Sequence, residues 1–411
     1  AQSQLILIWA RAFGQEGAPL PAWLFGAGAA GDPIDSLTDQ RLTDALGERQ
    51  VPISIDALAE SRTDGERWRP PLTAEPLALG SVPDRIDRSW GRASYSAWTA
   101  SSDDVQLHEQ GRDRDPGAEE APQSSVTQSS DLQLSDPQWS ETGPLAAFPR
   151  GAAAGDCLHR ILEQVPFTAS EVAEPSERLD LIAAELRRAG LDQGLQNDVL
   201  VGLDQVLQTP LGGALGSLTL DQLGPNQRLP ELSFDLPVQH VRTADLVAAF
   251  ECDPEARFGA SYSAALRSLS INSRGFLTGS IDLVFQDPAR KRWWVLDWKS
   301  NWIGERRSGA EPGLCGPHHY TQDAMEDQML HHHYPLQAHL YLVALHRHLR
   351  WRLPSYSPEQ HLGGYVYCFL RGMPGSVGSS SECVVGPGRI VEPAPLNRIA
   401  ALDRALGEVP A

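Results

Sequence analysis

Cysteine is scarce in this chain. Its 411 residues hold five, Cys157, Cys252, Cys315, Cys368 and Cys383, odd in number, scattered and never spaced as CxxC. That excludes a disulfide framework and a clustered thiolate site such as an iron–sulfur centre, and implies reduced thiols in a cytoplasmic setting. No run of eighteen apolar residues and no signal-peptide pattern occurs, which speaks against membrane anchoring and secretion. Nothing matches the phosphate-cradling GxxxxGK[ST] pattern, so ATP is not held in that way. An initiator Met is missing too. The chain starts AQSQLILIWARAF, and the strand expected over Leu5 to Trp9 has no nearby partner.

Basic charge is also short, with 34 Lys and Arg against 53 Asp and Glu, for a formal charge of −19. Much of the excess is local. Residues 101–142 carry ten acidic and two basic side chains among Ser, Gln, Pro and Gly, a composition that cannot bury a core. We read residues 101–144 as a disordered acidic linker. A hydrophobic content of 41% leaves ample material for a core, and more than one domain is expected. Contact with an anionic polymer would fall to local clusters, Arg290 to Arg292 and Arg347 with Arg350.

The densest chemistry lies between Gly279 and Asn301. Ile281, Leu283 and Phe285 alternate with Asp282 and Val284, and Trp293 to Leu296 form a second apolar, aromatic and β-branched run. Asp287, Pro288 and Arg290 to Arg292 supply turn chemistry between them, so the stretch predicts an antiparallel hairpin that brings Asp282 near Asp297. Two carboxylates so placed repel unless a cation lies between them, and a hard divalent ion takes oxygen ligands. Lys299, two residues beyond Asp297, leaves the strand on the same face, where an ammonium can orient a water or neutralise charge growing on phosphate. A lone Asp-x-Lys is more often an exposed ion pair. Here it ends a run apolar enough to be buried, where an unpaired carboxylate is costly.

These residues resemble the RecB family, the helicase–nuclease subunits of RecBCD exonucleases. Their nuclease is of the PD-(D/E)xK type, a signature matched by Asp282 and then Asp297-Trp298-Lys299. Three more segments are similar to the family: FPRGAAAGDCLHRILE (148–163) to its opening helix, ELSFDLPV (231–238) to its early strand, and YPLQAHLYLVALHRHLR (334–350) to its Gln-Tyr helix. The resemblance implies Mg²⁺ held by His159, Asp282, Asp297 and the main-chain carbonyl of Trp298, with Lys299 as the catalytic lysine. It makes Glu231 an acidic active-site position and Gln337 with Tyr341 DNA-facing residues. It further implies DNA as substrate, RecC-like and RecD-like companion subunits and the RecA recombinase as a possible partner. SWGRASYSAW (89–98) is similar to the family's segment just before the linker, so residues 1–100 are expected to be a helicase-domain remnant of a longer chain, and 145–411 the nuclease domain.

By their residues alone some of these assignments are weaker. His159 sits among Leu158, Ile161, Leu162 and Val165 and reads as a packed helix histidine, with Glu163 one turn on as a partner for its ring. Gln337 and Tyr341 read as a polar rim on a helix opened by Pro335, or as contacts to a nucleic-acid strand or to Lys299. His318, His319 and His331 to His333 point several ways and read as a solvated, phosphate-contacting surface. The element order predicts helices over 151–165 and 171–208, a strand near Glu231, a helix near 243–251, the two strands, the Gln337 helix, a strand over 364–370 and a last helix near 395–407. That alternation suits an α/β, restriction-endonuclease-like domain, a small mixed sheet flanked by helices. The function expected is Mg²⁺-dependent DNA exonuclease action. The alternatives are a non-catalytic nuclease-like scaffold, or the nuclease of a related two-subunit helicase complex.

Overall fold

The computed structural model describes residues 90–100, 139–172, 176–305, 314–376 and 385–407. Residues 1–89 and 101–138, which carry most of the expected helicase remnant and acidic linker, lie outside them, as does Cys383. Among the described residues the strands are β1 (Gly91–Ser94), β2 (Arg228–Arg242), β3 (Asn272–Gln286), β4 (Trp293–Lys299), β5 (Leu362–Phe369) and β6 (Arg389–Pro393). They form one mixed sheet in the order β1-β3-β4-β5-β6, with β2 also pairing β3. β1 runs parallel to β3 and β4 parallel to β5, and the remaining pairs are antiparallel.

The expected hairpin is β3–β4. Leu283 faces Leu296 and Gln286 faces Trp293. Its turn closes through Asp287, whose amide donates to Arg292 O at 2.9 Å and whose carboxylate accepts from Ala289 N at 2.8 Å, while Lys291 takes φ 59°. Beyond β4 the chain must cross over before it can pair in parallel. The crossing is made by α7 (Gln322–His331) and α8 (Tyr334–Arg352). β5 is buried at all eight positions, as a central parallel strand covered on both sides should be.

Alternation sorts the strand residues between two apolar layers. Trp294, Leu296, Trp298, Val366 and Cys368 pack with α2 (Ala152–Gln164), α3 (Glu177–Arg188) and α4 (Gln196–Gln208). Val295, Tyr365 and Tyr367 join α8, α5 (Thr243–Glu251), α6 (Ala260–Leu266) and α10 (Leu396–Ala405) on the other face. Two short helices, α1 (Tyr95–Thr99) and α9 (Pro358–His361), complete the set. No helix among the described residues is long and apolar enough to cross a membrane.

Several expectations change. The helix expected over 171–208 is two, α3 and α4, because Gly190 at φ 68° ends the first, with Leu191 N donating back to Leu186 O at 2.9 Å. Residues 91–99, grouped above with the segment before the linker, supply strand β1 of this sheet (91–94) and the short helix that follows it (95–99). β1 meets β3 where Gly91 faces Gly275, and a side chain at Gly275 would stand 2.1 Å from Gly91 O. Arg347, expected to touch DNA, is 8% exposed and clamps Asp403, with its other N–H groups on the carbonyls of Pro237 and Gly407. A guanidinium whose fork is filled by buried acceptors has nothing left for phosphate.

Behind β5, α8 and α10 are joined by a buried polar pair. His339 Nδ1 donates to Pro335 O at 2.6 Å and its Nε2 accepts from Arg398 at 3.1 Å. Arg398 also bonds the carbonyls of Arg257 and Asp253. Burial, reinforced by Arg398, pushes the His339 pKa down from 6.5 to about 3. Unfolded, this histidine takes a proton from pH 6.5 downward, whereas folded it does not. Stability should therefore fall as pH drops below 6.5, approaching ~1.4 kcal/mol per pH unit until about pH 3. Urea unfolding of the full chain at a series of pH values should show this slope, and His339→Gln should flatten it; equal slopes in both would reject the assignment.

Candidate active site

The sheet delivers four charged side chains to one place. Extending the β3–β4 register one step past Leu283–Leu296 sets Asp282 across from Asp297. Asp282 Oδ2 accepts from Trp298 N at 2.8 Å, and its Oδ1 lies 3.4 Å from His159 Nδ1. Helix α2 places that imidazole through its buried face, Cys157, Leu158, Ile161 and Leu162, and starts at Gly151 with φ 102°. Close to the sheet Gly155 leaves room for Ser300, whose Oγ would stand 3.0 Å from any β-carbon there. Glu163 follows one turn after His159, half-buried.

Asp297 and Lys299 are 3% and 2% exposed. Lys299 Nζ stands 2.7 Å from Asp297 Oδ2, a buried ion pair. Nζ also reaches Gln337 Oε1 at 3.2 Å and lies 3.9 Å from the centre of the Tyr334 ring and 5.5 Å from that of Tyr367. Lysine occurs only twice in the chain, at 291 and 299, against 32 arginines. A chain that builds its ion pairs from arginine keeps here the compact ammonium that fits between two phenol rings.

Burial, with help from Asp282 and against the pull of Lys299, raises the Asp297 pKa to about 7. For Asp282 burial is outweighed by His159 and the Trp298 amide, and its pKa is lowered. Burial disfavours the charged His159 ring, yet Asp282 and then Asp297 lift its pKa to about 9. Two carboxylates thus share two cations, an imidazolium and an ammonium, with charge balanced across the site.

Glu231 sits in β2 between the pairs Pro230–Leu283 and Leu232–Ile281, opposite Asp282 in register. Its φ of 51° is left-handed, a conformation costing a non-glycine residue about 1 kcal/mol, and Ser280 Oγ donates to its Oε2 at 2.8 Å. Side-chain alternation slips at the same row, since Ile281 and Leu283 pack into opposite layers.

Gln337 and Tyr341, expected to face DNA, to rim the helix or to contact Lys299, are 3% and 2% exposed. Gln337 Oε1 accepts from both Lys299 and the Tyr367 hydroxyl (2.9 Å), while Nε2 donates to Tyr341 OH at 3.1 Å. They hold the lysine. Three supporting residues went unnoticed in the sequence. Tyr367 lies beside Asp297 in the parallel ladder, Tyr334 stacks under Lys299, and buried Asn301 accepts from Tyr334 OH at 3.3 Å. Two tyrosines, Tyr365 and Tyr367, inside the otherwise apolar β5 were the available signal. The consecutive histidines form the turn between α7 and α8. His332 stacks on Tyr334 at 5.2 Å, and His333 Nδ1 meets Tyr262 OH at 3.1 Å, so only His331 of the three is exposed.

The oxygen donors of Asp282, Asp297 and Trp298 with the His159 nitrogen are of the type that suits a hard divalent ion. Among the described residues, however, no three His, Cys, Asp or Glu side chains are grouped as a ready-made metal centre. The expected quartet stands as two adjoining ion pairs.

No protein-family model matches the chain. It is 30% identical over 407 residues to the RecBCD enzyme subunit RecB of Mycobacterium tuberculosis strain H37Rv, covering 92% of this chain and 34% of that protein. RecB of Mycolicibacterium smegmatis is 29% identical, with 92% and 35% covered, and RecB of Escherichia coli K12 is 35% identical over 227 residues, 55% and 17%. The chain spans about a third of the length of the mycobacterial relatives it matches.

Because Asp297 and Lys299 compensate each other away from water, Lys299→Met should cost about 3 kcal/mol in urea unfolding, and Asp297→Asn with Lys299→Met less than the sum of the single changes. Additive costs would mean that the pair is not coupled.

Proposed function

We propose that this RecB-related chain carries a PD-(D/E)xK nuclease site that hydrolyses DNA phosphodiesters with Mg²⁺, as part of a helicase–nuclease acting in double-strand-break repair and recombination. One observation carries the reading: a buried Asp297–Lys299 pair ends a central strand, with Asp282 of the neighbouring strand and His159 of α2 beside it. The relatives support it, since each is a RecB subunit of a RecBCD enzyme. On the same basis RecC-like and RecD-like subunits would be its companions.

His159, Asp282, Asp297 and the Trp298 carbonyl would hold the ion, which supplies a polarised scissile phosphate and a bound water of lowered pKa. The chain's own part is positional and electrostatic. Gln337 and Tyr367 fix where the Lys299 ammonium points, so its charge is available to a phosphate oxygen without reorganisation. Tyr334 and Tyr367 keep water from that ammonium and strengthen its field. Asp297, at about pH 7 poised between its two forms, can bind either a proton or a cation.

The scaffold reading has one observation of its own, the absence of a preformed three-residue metal group among the described residues. Both readings meet in one assay. The purified full chain, given single-stranded DNA and Mg²⁺, should degrade it, stop with EDTA, and lose at least 100-fold in rate on Asp297→Ala or Lys299→Ala. Equal degradation by wild type and Asp297→Ala removes the mechanism. Binding without cutting by wild type favours the scaffold.

A further inference from the structure

Beyond Lys299 the chain continues through Ser300 and the buried Asn301 to Trp302. The guanidinium carbon of Arg150 lies 3.5 Å from the centre of the Trp302 ring. Arg150 is exposed, and it has no carboxylate partner among the described residues. Arg187, Arg352 and Arg404 are likewise exposed and without an ion pair among the described residues, whereas Arg150 alone of these stands on Trp302, next to the strand end that carries Lys299. Arg160, Arg178, Arg228, Arg257 and Arg347 all sit on carboxylates within the same domain. In a chain of formal charge −19, an exposed cation left unpaired is available to an anion from outside.

The platform under it is rigid. Asn301 is fixed on both sides, its carbonyl accepting from Tyr320 OH at 2.7 Å and its side-chain oxygen from Tyr334 OH. On the Arg150 side, buried Arg371 donates to the carbonyls of Leu145 (2.6 Å), Phe148 (2.9 Å) and Pro149 (2.7 Å) and also to Ser300 O (3.1 Å). One guanidinium therefore ties the segment leading to Arg150 to the residue just after Lys299. Arg150 is held at a fixed place beside the site, not on a swinging loop.

We propose that Arg150, oriented by the face of Trp302, is a binding residue for a backbone phosphate of the nucleic-acid strand, next to the phosphate that Lys299 meets. The inference rests on the nuclease reading for its substrate but assigns a separate contact. A stacked guanidinium loses little freedom on binding and keeps its N–H edge for phosphate oxygens, which lysine cannot reproduce. Trp302 is a positioning residue in this scheme.

The test is binding without cutting. Full chain in EDTA is titrated against a fluorescein-labelled oligothymidylate, and anisotropy is read over a series of salt concentrations. Arg150→Gln should weaken binding roughly fivefold and lower the slope of log affinity against log salt by about one. Arg150→Lys should keep the slope and lose part of the affinity. Trp302→Leu should weaken binding by a similar factor, Trp302→Phe by less, and the double change Arg150→Gln with Trp302→Leu no more than the worse single one. Wild-type affinity and slope in Arg150→Gln overturn the contact, as does a wild-type chain that fails to bind the oligonucleotide. Asp297→Asn, which should abolish cutting, separates the two readings. Loss of binding in Arg150→Gln with an inactive wild type supports the contact while sinking the nuclease. An active wild type whose Arg150→Gln variant binds and cuts normally does the reverse.

Discussion

A carboxylate and an ammonium kept out of water at the end of a central strand govern this molecule. Asp297 and Lys299 share a face of β4, between β3 and β5, and every neighbour is arranged to make their burial tolerable. Gln337 turns an amide oxygen to the ammonium, Tyr367 donates to the same oxygen, and Tyr334 lends its ring. His159 and the Trp298 amide answer the second carboxylate, Asp282. Replacing any of these by an apolar side chain would leave a charge stranded, which is why the surrounding helices are specified so closely.

How much of this could be read from the chain depended on whether the signal was local. The β3–β4 hairpin is announced by two apolar runs and a turn of Asp, Pro and basic residues, and its register follows from them. Lys299 was legible from its spacing to Asp297, whereas His159 by its own surroundings read as a packed helix histidine and was singled out by the resemblance alone. Neither Tyr367 nor Asn301 was legible, because their part comes from the parallel ladder of β4 with β5 and from α8 crossing behind, both of which join residues far apart in sequence. Arg347 misled for the opposite reason. On a helical wheel it looks like surface charge, and only the packing of α10 reveals the buried Asp403 that claims it. For Gln337 and Tyr341 the polar-rim reading fails, because their helix is buried nearly all round, while the contact with Lys299 is found at Gln337.

The chemistry read into the site combines two kinds of support. Similarity to RecB over most of the chain gives the setting, and the grouping of acids, imidazole and ammonium gives the local means. Strain is spent at the same spot, since Glu231 keeps a left-handed backbone opposite Asp282 where alternation along β3 slips. The sheet is thus least regular at the row that carries its charge.

Strand β1 imposes an order on biosynthesis. Among the described residues Gly91 to Ser94 pair with Gly275 to Thr278, and the Tyr95 hydroxyl rests on the carbonyl of His332. As the chain leaves the ribosome, β1 has to wait for Gly275 to Thr278 and the Tyr95 hydroxyl for His332 before these contacts can form. The first strand of the sheet among the described residues thus cannot dock until the middle of the domain has been made, and chaperone binding during translation would be most useful around Tyr95 and Trp98.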